Sequence, residues 1–454
     1  MKQSWTNTHS RFFCKLIDLI NSSGTRYFIL RNYEELPINN TGKDVDIVIE
    51  PGTYKVIKNC LFICMKEYNI QYYIISKFDR MRCWYIMNPD TMFGIHIDII
   101  ENEVYKGFEF FDFEHLYSHV IPYNSFFILD NVMDSVMLLV QNVVAYKNLK
   151  QKYRETISLN YKEHKKLIDN EINNFWSKKV ASKMIRHLEK GNYDQIVKES
   201  KLFENDAKLS IFYRKPIKTT IFVVRFLAEK FWRVVICPRK YWLSFAVEAP
   251  DGTGKTTFLN QLIKDFSTLY VCGDERFNVY HFRPTILPNL GAAGEIAGVM
   301  KQDKNFTNPH RAKPVGYIQS FIRMTYYWLD YVIGVPILLR KDSQYGYYTI
   351  FDRYIYDFLI DPERTRIKLP YWIRKTFTKI VIEPRLVFVL QTSPDVIYKR
   401  KQELTYEEIE KQLKDFAKLI KSSRFIRIDA GQTPEQMSRD ALKVLLEKFM
   451  KKVD

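Results

Sequence analysis

Ser244-Phe-Ala-Val-Glu-Ala-Pro-Asp-Gly-Thr-Gly-Lys-Thr-Thr-Phe-Leu-Asn-Gln-Leu-Ile-Lys-Asp-Phe266 is the stretch on which the reading of this 454-residue chain turns. It opens with a short apolar run of strand character and closes with a helix-period apolar pattern. Between them lie two glycines one residue apart, Gly252 and Gly254, followed by Lys255 and Thr256. Glycine lets the backbone turn so that successive N–H groups face one point. The helix that follows aims the positive end of its dipole at the same point. A lysine and a hydroxyl at that spot suit a polyphosphate and its magnesium ion. Strand, turn and helix coincide, which a chance match would not produce. Asp251, Gly252, Thr253, Gly254, Lys255, Thr256 and Thr257 are therefore the expected ATP-binding residues, with Thr256 on Mg²⁺. Ala249 stands at the strand exit, away from the phosphates, where a side chain is tolerated.

Downstream, Tyr347–Phe351 reads as a buried strand that runs into Asp352-Arg353-Tyr354. In an open α/β sheet, ligands sit beyond the carboxyl ends of strands. Asp352 is thus aimed at the crevice that holds Lys255, where it can hold Mg²⁺ or take a proton from an acceptor. Arg353 can grip an anionic acceptor through two parallel hydrogen bonds; the plainer alternative is a structural Asp–Arg pair. Leu386–Leu390 is a further buried run, and 407–420 and 434–450 read as helices. This alternation predicts a doubly wound parallel α/β domain over 244–454.

These residues carry a resemblance. Glu248 to Thr257, Asp352-Arg-Tyr354, Leu386–Leu390 with Arg400-Lys401, and Ile428-Asp429-Ala430 resemble the thymidylate kinase-like branch of P-loop kinases. The resemblance implies a five-stranded parallel sheet and a basic lid over the ATP phosphates, begun by Arg400 and Lys401. It also has gaps. That family follows its Asp-Arg-Tyr with a serine and an Ala-Tyr-Gln that hold the thymidine nucleotide. This chain has Ile355-Tyr-Asp-Phe-Leu-Ile-Asp361, and His281-Phe-Arg-Pro284 in place of an Arg-Glu-Pro-Gly-Gly segment. A pocket that loses its hydrogen-bonding groups changes substrate. The expected acceptor is therefore a small polar molecule other than dTMP, with His281, Arg283, Asp357, Asp361 and Arg364 as candidate contacts.

Residues 1–127 alternate short β-like runs (Tyr27–Leu30, Val45–Ile49, Tyr72–Ile75, Gly94–Ile100) with helices and turns. In Gly42-Lys-Asp44-Val-Asp46-Ile-Val48, two carboxylates share one strand face, and Asp98 lies in another strand. Three carboxylates from neighbouring strands make a two-metal site that aligns a nucleoside triphosphate. The alternative is a turn-capping Asp44 with an exposed Asp46. Tyr27-Phe-Ile-Leu-Arg-Asn-Tyr-Glu-Glu-Leu-Pro37, then Asp44-Val-Asp46, then Asp98, resembles the polymerase-β-type nucleotidyltransferase superfamily. That resemblance implies an α+β mixed-sheet domain with Asp44, Asp46 and Asp98 as catalytic metal ligands. The superfamily's Gly-Gly/Ser triphosphate turn is replaced by Leu30-Arg31-Asn32, where Arg31 or Asn32 would substitute.

Residues 128–210 lack strand signals and read as a helical subdomain; 211–243 form a basic connector. Between Arg214 and Lys240 there are eight Lys or Arg against one acid, Glu229. Ile217, Ile221, Val224, Ala228, Phe231 and Val235 share one helical face. That face suits an anionic membrane surface or the inside of a linker helix packed between domains, and the packed linker is the simpler expectation. The formal net charge of +17 suits a polyanionic partner or simply a lysine-rich surface. The six cysteines form no CxxC pair; Cys60 and Cys64 read as core residues, and a reducing cytoplasm is the expected setting. No apolar run reaches the roughly 18–20 residues of a membrane span, and the N-terminus shows no signal-peptide pattern.

Fused domains of these two kinds resemble proteins found with surface-polysaccharide assembly. The expectation is a bifunctional enzyme in which one domain phosphorylates a small polar acceptor and the other transfers a nucleotidyl group. Two alternatives stand beside it: a nucleotidyltransferase acting on RNA or protein with an ATP-binding regulator, and a membrane-associated ATP-binding adaptor. Nucleic acid is the less favoured partner, and the sequence does not fix the oligomeric state.

Overall fold

The computed structural model describes residues 5–40, 42–79, 81–236, 244–271, 276–288, 316–402, 404–420 and 422–453. It is a mixed α/β protein of two compact units. One comprises residues 1–231 with 268–271 and 450–454, the other 232–267 and 272–449.

The first unit is built on an eight-stranded mixed sheet. Its strands are β1 (Tyr27–Ile29), β2 (Val45–Ile49), β3 (Tyr72–Phe78), β4 (Met81–Asn88), β5 (Phe93–Ile100), β8 (Val120–Tyr123), β9 (Phe126–Leu129) and β15 (Lys451–Lys452). A small hairpin of β6 (Glu103–Tyr105) and β7 (Phe108–Phe111) stands apart. The sheet order is β15-β3-β4-β5-β2-β1-β9-β8. Strand residues point alternately to opposite faces, and here both faces are covered. Ile29, Ile47, Ile49, Ile97 and Ile99 pack with the helices Asn7–Ser22 and Tyr54–Glu67. Phe28, Leu30, Val48 and Ile100 join a second core with the helices Asn131–Leu139, Gln151–Phe175, Lys178–Glu189 and Ser200–Arg214. Covering both faces explains why β2 is buried at all five positions. Asp46 and Asp98 have the parity of Val48 and Ile100, so the pleat aims them toward the second face.

Two features depart from the sequence reading, and the cysteines follow it. The strand β9 crosses the boundary placed at 127. No glycine or proline marks the turn between β3 and β4; the chain passes through Asp79, which takes the left-handed conformation itself. Cys60 and Cys64 are buried in the core and Cys14 and Cys83 are also free thiols; Cys237 and Cys272 lie outside the described residues.

The second unit holds a five-stranded, wholly parallel sheet: β10 (Ser244–Glu248), β11 (Phe277–His281), β12 (Tyr348–Asp352), β13 (Leu386–Gln391) and β14 (Phe425–Asp429), in the order β11-β12-β10-β13-β14. The strands β10 and β13 are buried throughout, as central parallel strands require. The edge strand β11 is only half-buried and mixes Asn, Tyr and His with apolar residues, which hides it from a pattern search. The chain leaves β10 for β11 on one side and later reaches β13 on the other. The carboxyl end of β10 is therefore the switch point of the sheet, where such folds form a crevice.

Candidate functional site

The loop Ala249–Gly254 leaves β10 at that switch point, and the helix Lys255–Leu269 begins directly after it. Gly252 and Gly254 take φ of +86° and +95°, a region closed at low cost to all but glycine. An added Cβ on Gly252 would also lie 2.9 Å from the Lys401 Cβ. Thr253 is buried, and its hydroxyl donates 2.8 Å to the Pro250 carbonyl, closing the turn from inside. Thr256 and Thr257 stand exposed. The helix Pro394–Arg400 ends against the loop. Arg400 Nη1 donates to the Thr253 carbonyl at 3.2 Å and to the Ala430 carbonyl at 3.3 Å. Glycine pair, helix start and nearby cations together fit a bound polyphosphate.

Asp352 ends β12, in register with Val247 of β10 and with His281 of β11. Lys255 donates to its Oδ1, and its Oδ2 lies 2.7 Å from His281 Nδ1. Burial pushes the Asp352 carboxyl up, but Lys255 and His281 outweigh it and hold it below its ordinary value. Burial, with the nearby Arg353 charge, lowers the Lys255 ammonium. The His281 side chain is 75% exposed, so its free ring edge can reach a ligand.

Arg353 lies elsewhere than the acceptor-gripping reading supposed. It takes a left-handed φ of +74° and is 4% exposed. Its Nη1 donates to both Asp357 oxygens at 3.2 and 3.1 Å, and its Nη2 to Asp251 Oδ1 at 2.6 Å. Arg364 reaches the other Asp251 oxygen at 2.7 Å. Glu248 accepts the Tyr354 N–H at 2.7 Å, and burial beside Asp357 raises its carboxyl well above the ordinary value. Arg353 is thus an internal clamp that ties the loop residue Asp251 to the strand ends. Arg283 is likewise enclosed, donating to Asp330 at 2.9 Å. Asp361 is buried and accepts the Arg364 N–H at 3.3 Å. Of the candidate acceptor contacts, His281 and Arg364 remain the accessible ones.

In the first unit, Asp46 and Asp98 sit side by side on the parallel strands β2 and β5. Carboxylate oxygens of Asp44, Asp46 and Asp98 lie within 4.8 Å of one another. Asp46 is buried, against the turn-cap alternative. Burial and the charges of Asp44 and Asp98 lift its carboxyl to about 7, although Arg31 Nε pairs with it at 2.6 Å. Asp98 differs: burial raises it, but His96 Nε2 at 2.8 Å brings it below its ordinary value. Three converging carboxylates fit a hard divalent cation. Asn32, in the turn that replaces two glycines, takes φ of +55°, which asparagine tolerates better than most residues. Beside it opens a cavity of about 990 Å³, lined by Arg31, Asn32, Lys43, Asp44, Lys150 and Lys152 among others.

Sequence reading missed several members of these sites. His96 was open to inference, because i and i+2 share a strand face. Cys83, opposite Asp98 on β4, followed only from an unrecognised strand. Lys150 and Lys152 reach the cavity from more than a hundred residues away and carried no local signal.

The chain matches no model of a known protein family and no curated protein sequence. Among solved structures it is similar to thymidylate kinase from Ehrlichia chaffeensis, at 14% identity and a TM-score of 0.31, over 45% of this chain and 98% of that one.

Proposed function

We propose that the second unit is an ATP-dependent phosphotransferase acting on a small polar acceptor other than dTMP, and that the first is a nucleotidyltransferase-like unit, the two serving surface-polysaccharide precursor synthesis. The observation that carries the reading is the meeting of Lys255, Asp352 and His281 beside the Gly252–Gly254 turn, at the carboxyl ends of three adjacent parallel strands.

The loop N–H groups and Lys255 bind the phosphates of ATP. Magnesium, when bound, supplies charge neutralisation at the transferring group, and Thr256 and Asp352 are the side chains here that fit it. Asp352 orients His281, whose exposed ring takes the proton from the acceptor hydroxyl. Arg364 and His281 hold the acceptor; Arg400 and Lys401 add positive charge beside the loop. Asp251, Arg353, Asp357 and Glu248 keep the loop in place. In the first unit, Asp44, Asp46 and Asp98 hold divalent metal, and Arg31 with the lysines of the cavity receives the nucleoside triphosphate.

We also place the protein in the cytoplasm, in peripheral contact with anionic lipid. The helix Pro216–Phe231 supports this: it turns Thr219, Phe222 and Phe226 inward, while Ile217, Ile221, Val224 and Phe231 stand exposed, Ile217 at 76%. The outward stripe departs from the packed-linker expectation. Lys218 and Arg225 flank it. No helix among the described residues is long and apolar enough to cross a membrane.

The test is product analysis. Protein is incubated with Mg²⁺, ATP and a panel of sugars, alditols and nucleotides, and ADP and pyrophosphate are quantified separately. Loss of ADP alone in Lys255→Ala and of pyrophosphate alone in Asp46→Asn is the expected pattern. ATP binding with neither product would point instead to an adaptor. Pyrophosphate formed only with an RNA or protein acceptor would favour a macromolecular nucleotidyltransferase.

A further inference from the structure

Two histidines and a glutamate from separate elements converge at a place that neither proposed reaction uses. His115 lies in the short helix Phe113–Tyr117, His119 follows that helix, and Glu171 projects from the helix Gln151–Phe175. One ligand atom from each lies within 4.8 Å of the other two. His115 Nε2 is 3.0 Å from Glu171 Oε2.

The surroundings hold these groups in place. His119 Nδ1 lies 2.9 Å from Asp130 Oδ2, while Asp130 Oδ1 accepts the Met133 N–H at 2.8 Å. A carboxylate fixed at both oxygens and bonded to one imidazole nitrogen sets the tautomer and leaves the second nitrogen for a metal. Asp112 Oδ1 accepts the His115 N–H at 3.0 Å, and the His115 ring stacks on Phe111 with centroids 5.9 Å apart. His115 and Glu171 also line a cavity of about 320 Å³ that includes Arg214 and Lys215.

We propose that His115, His119 and Glu171 form a site for a divalent transition metal of the zinc class, with Asp130 as the positioning residue behind His119. Two neutral imidazoles and one carboxylate are the donor set that suits zinc. Magnesium, which takes oxygen ligands in octahedral array, is the wrong match. Three protein ligands leave a fourth position for water or a small anion on the cavity side, next to Arg214 and Lys215. The metal ties the end of the mixed sheet to the helical subdomain.

The experiment uses the full-length chain, stripped with a chelator and titrated with Zn²⁺ against a chromophoric competitor; Co²⁺ absorption reports the ligand set. Zinc would also meet the Asp44–Asp46–Asp98 and Cys83–His96–Asp98 clusters, so Asp98→Asn, which removes a ligand of both, serves as the background. In that background one zinc per chain is expected to remain. His119→Ala and Glu171→Gln abolish it, and Asp130→Asn weakens it about 10- to 100-fold. Saturating zinc raises the Tm of Asp98→Asn and leaves that of Asp98→Asn/His119→Ala unchanged. Glu171→Gln preserves side-chain shape and guards against a folding defect in the histidine variant. The proposal falls if stripped Asp98→Asn takes up no zinc, or if removing His119 and Glu171 leaves its affinity unchanged.

Discussion

Arg353→Met separates an internal clamp from an acceptor contact. Methionine keeps much of the side-chain volume and removes the charge. Asp357, fully buried, then loses both of its hydrogen bonds to Nη1, while Asp251 keeps Arg364. Breaking a buried pair by removing one partner costs about 3–5 kcal/mol. The assay is chemical denaturation of wild type, Arg353→Met and Arg353→Met/Asp357→Asn at pH 7, with ATP binding measured alongside. The double variant removes the stranded carboxylate and recovers most of the lost stability. A single variant within 1 kcal/mol of wild type at pH 7, or a double variant no better than the single, would refute the clamp.

Three further outcomes follow from the structure. Burial, with Glu34 and Asp130 nearby, lifts Asp134 to about 7, so the native state retains a proton that the unfolded chain releases from about pH 4 upward; stability falls through that window, and Asp134→Asn gains up to about 4 kcal/mol at pH 7 and almost nothing at pH 4, as denaturation at the two values will show. His281→Ala lowers kcat for ADP formation by about 10²–10⁴-fold while ATP affinity, read by calorimetry, is kept, as expected of a proton acceptor and not of a phosphate ligand. Ile221→Asp or Val224→Asp reduces cosedimentation with phosphatidylserine vesicles without changing the far-UV spectrum; equal binding by wild type and variants would remove the lipid reading.

The parts of this molecule legible in its sequence are those whose physical reason is local. A strand, two glycines, a lysine and a helix within about twenty residues fix the geometry of the loop proposed to bind phosphate, because backbone geometry and dipole act over a few residues. Strand alternation likewise put Asp44 and Asp46 on one face and allowed Asp98 to join them. Arg353 shows where such reasoning stops. It follows an aspartate at a strand end, just where a ligand contact belongs, yet its direction is set by Asp251, 102 positions earlier, and by the buried Asp357. Nothing in Asp352-Arg-Tyr354 distinguishes a guanidinium facing a crevice from one facing a carboxylate inside.

The helix Pro216–Phe231 fails for a different reason. Its periodicity gave the apolar stripe correctly, but a period fixes an angle around an axis and not which side meets the protein. Both sides of this helix are apolar, so Phe222 and Phe226 turned inward leave Ile217, Ile221 and Val224 outward. A helix that must bury one apolar face and only one has no need of a second. A second apolar stripe on a water-facing surface lowers solubility, and large exposed patches of that kind mark contact sites. The same reasoning explains why composition was ambiguous: a charge of +17 reads alike on a solvated surface and on one that meets phosphates or lipid. What separates the readings is where the cations lie, and here Lys255, Arg400 and Lys401 gather at one loop while Lys43, Lys150 and Lys152 gather at one cavity. Two concentrations of positive charge, each beside carboxylates, favour the polyphosphate sites proposed above over a merely lysine-rich surface.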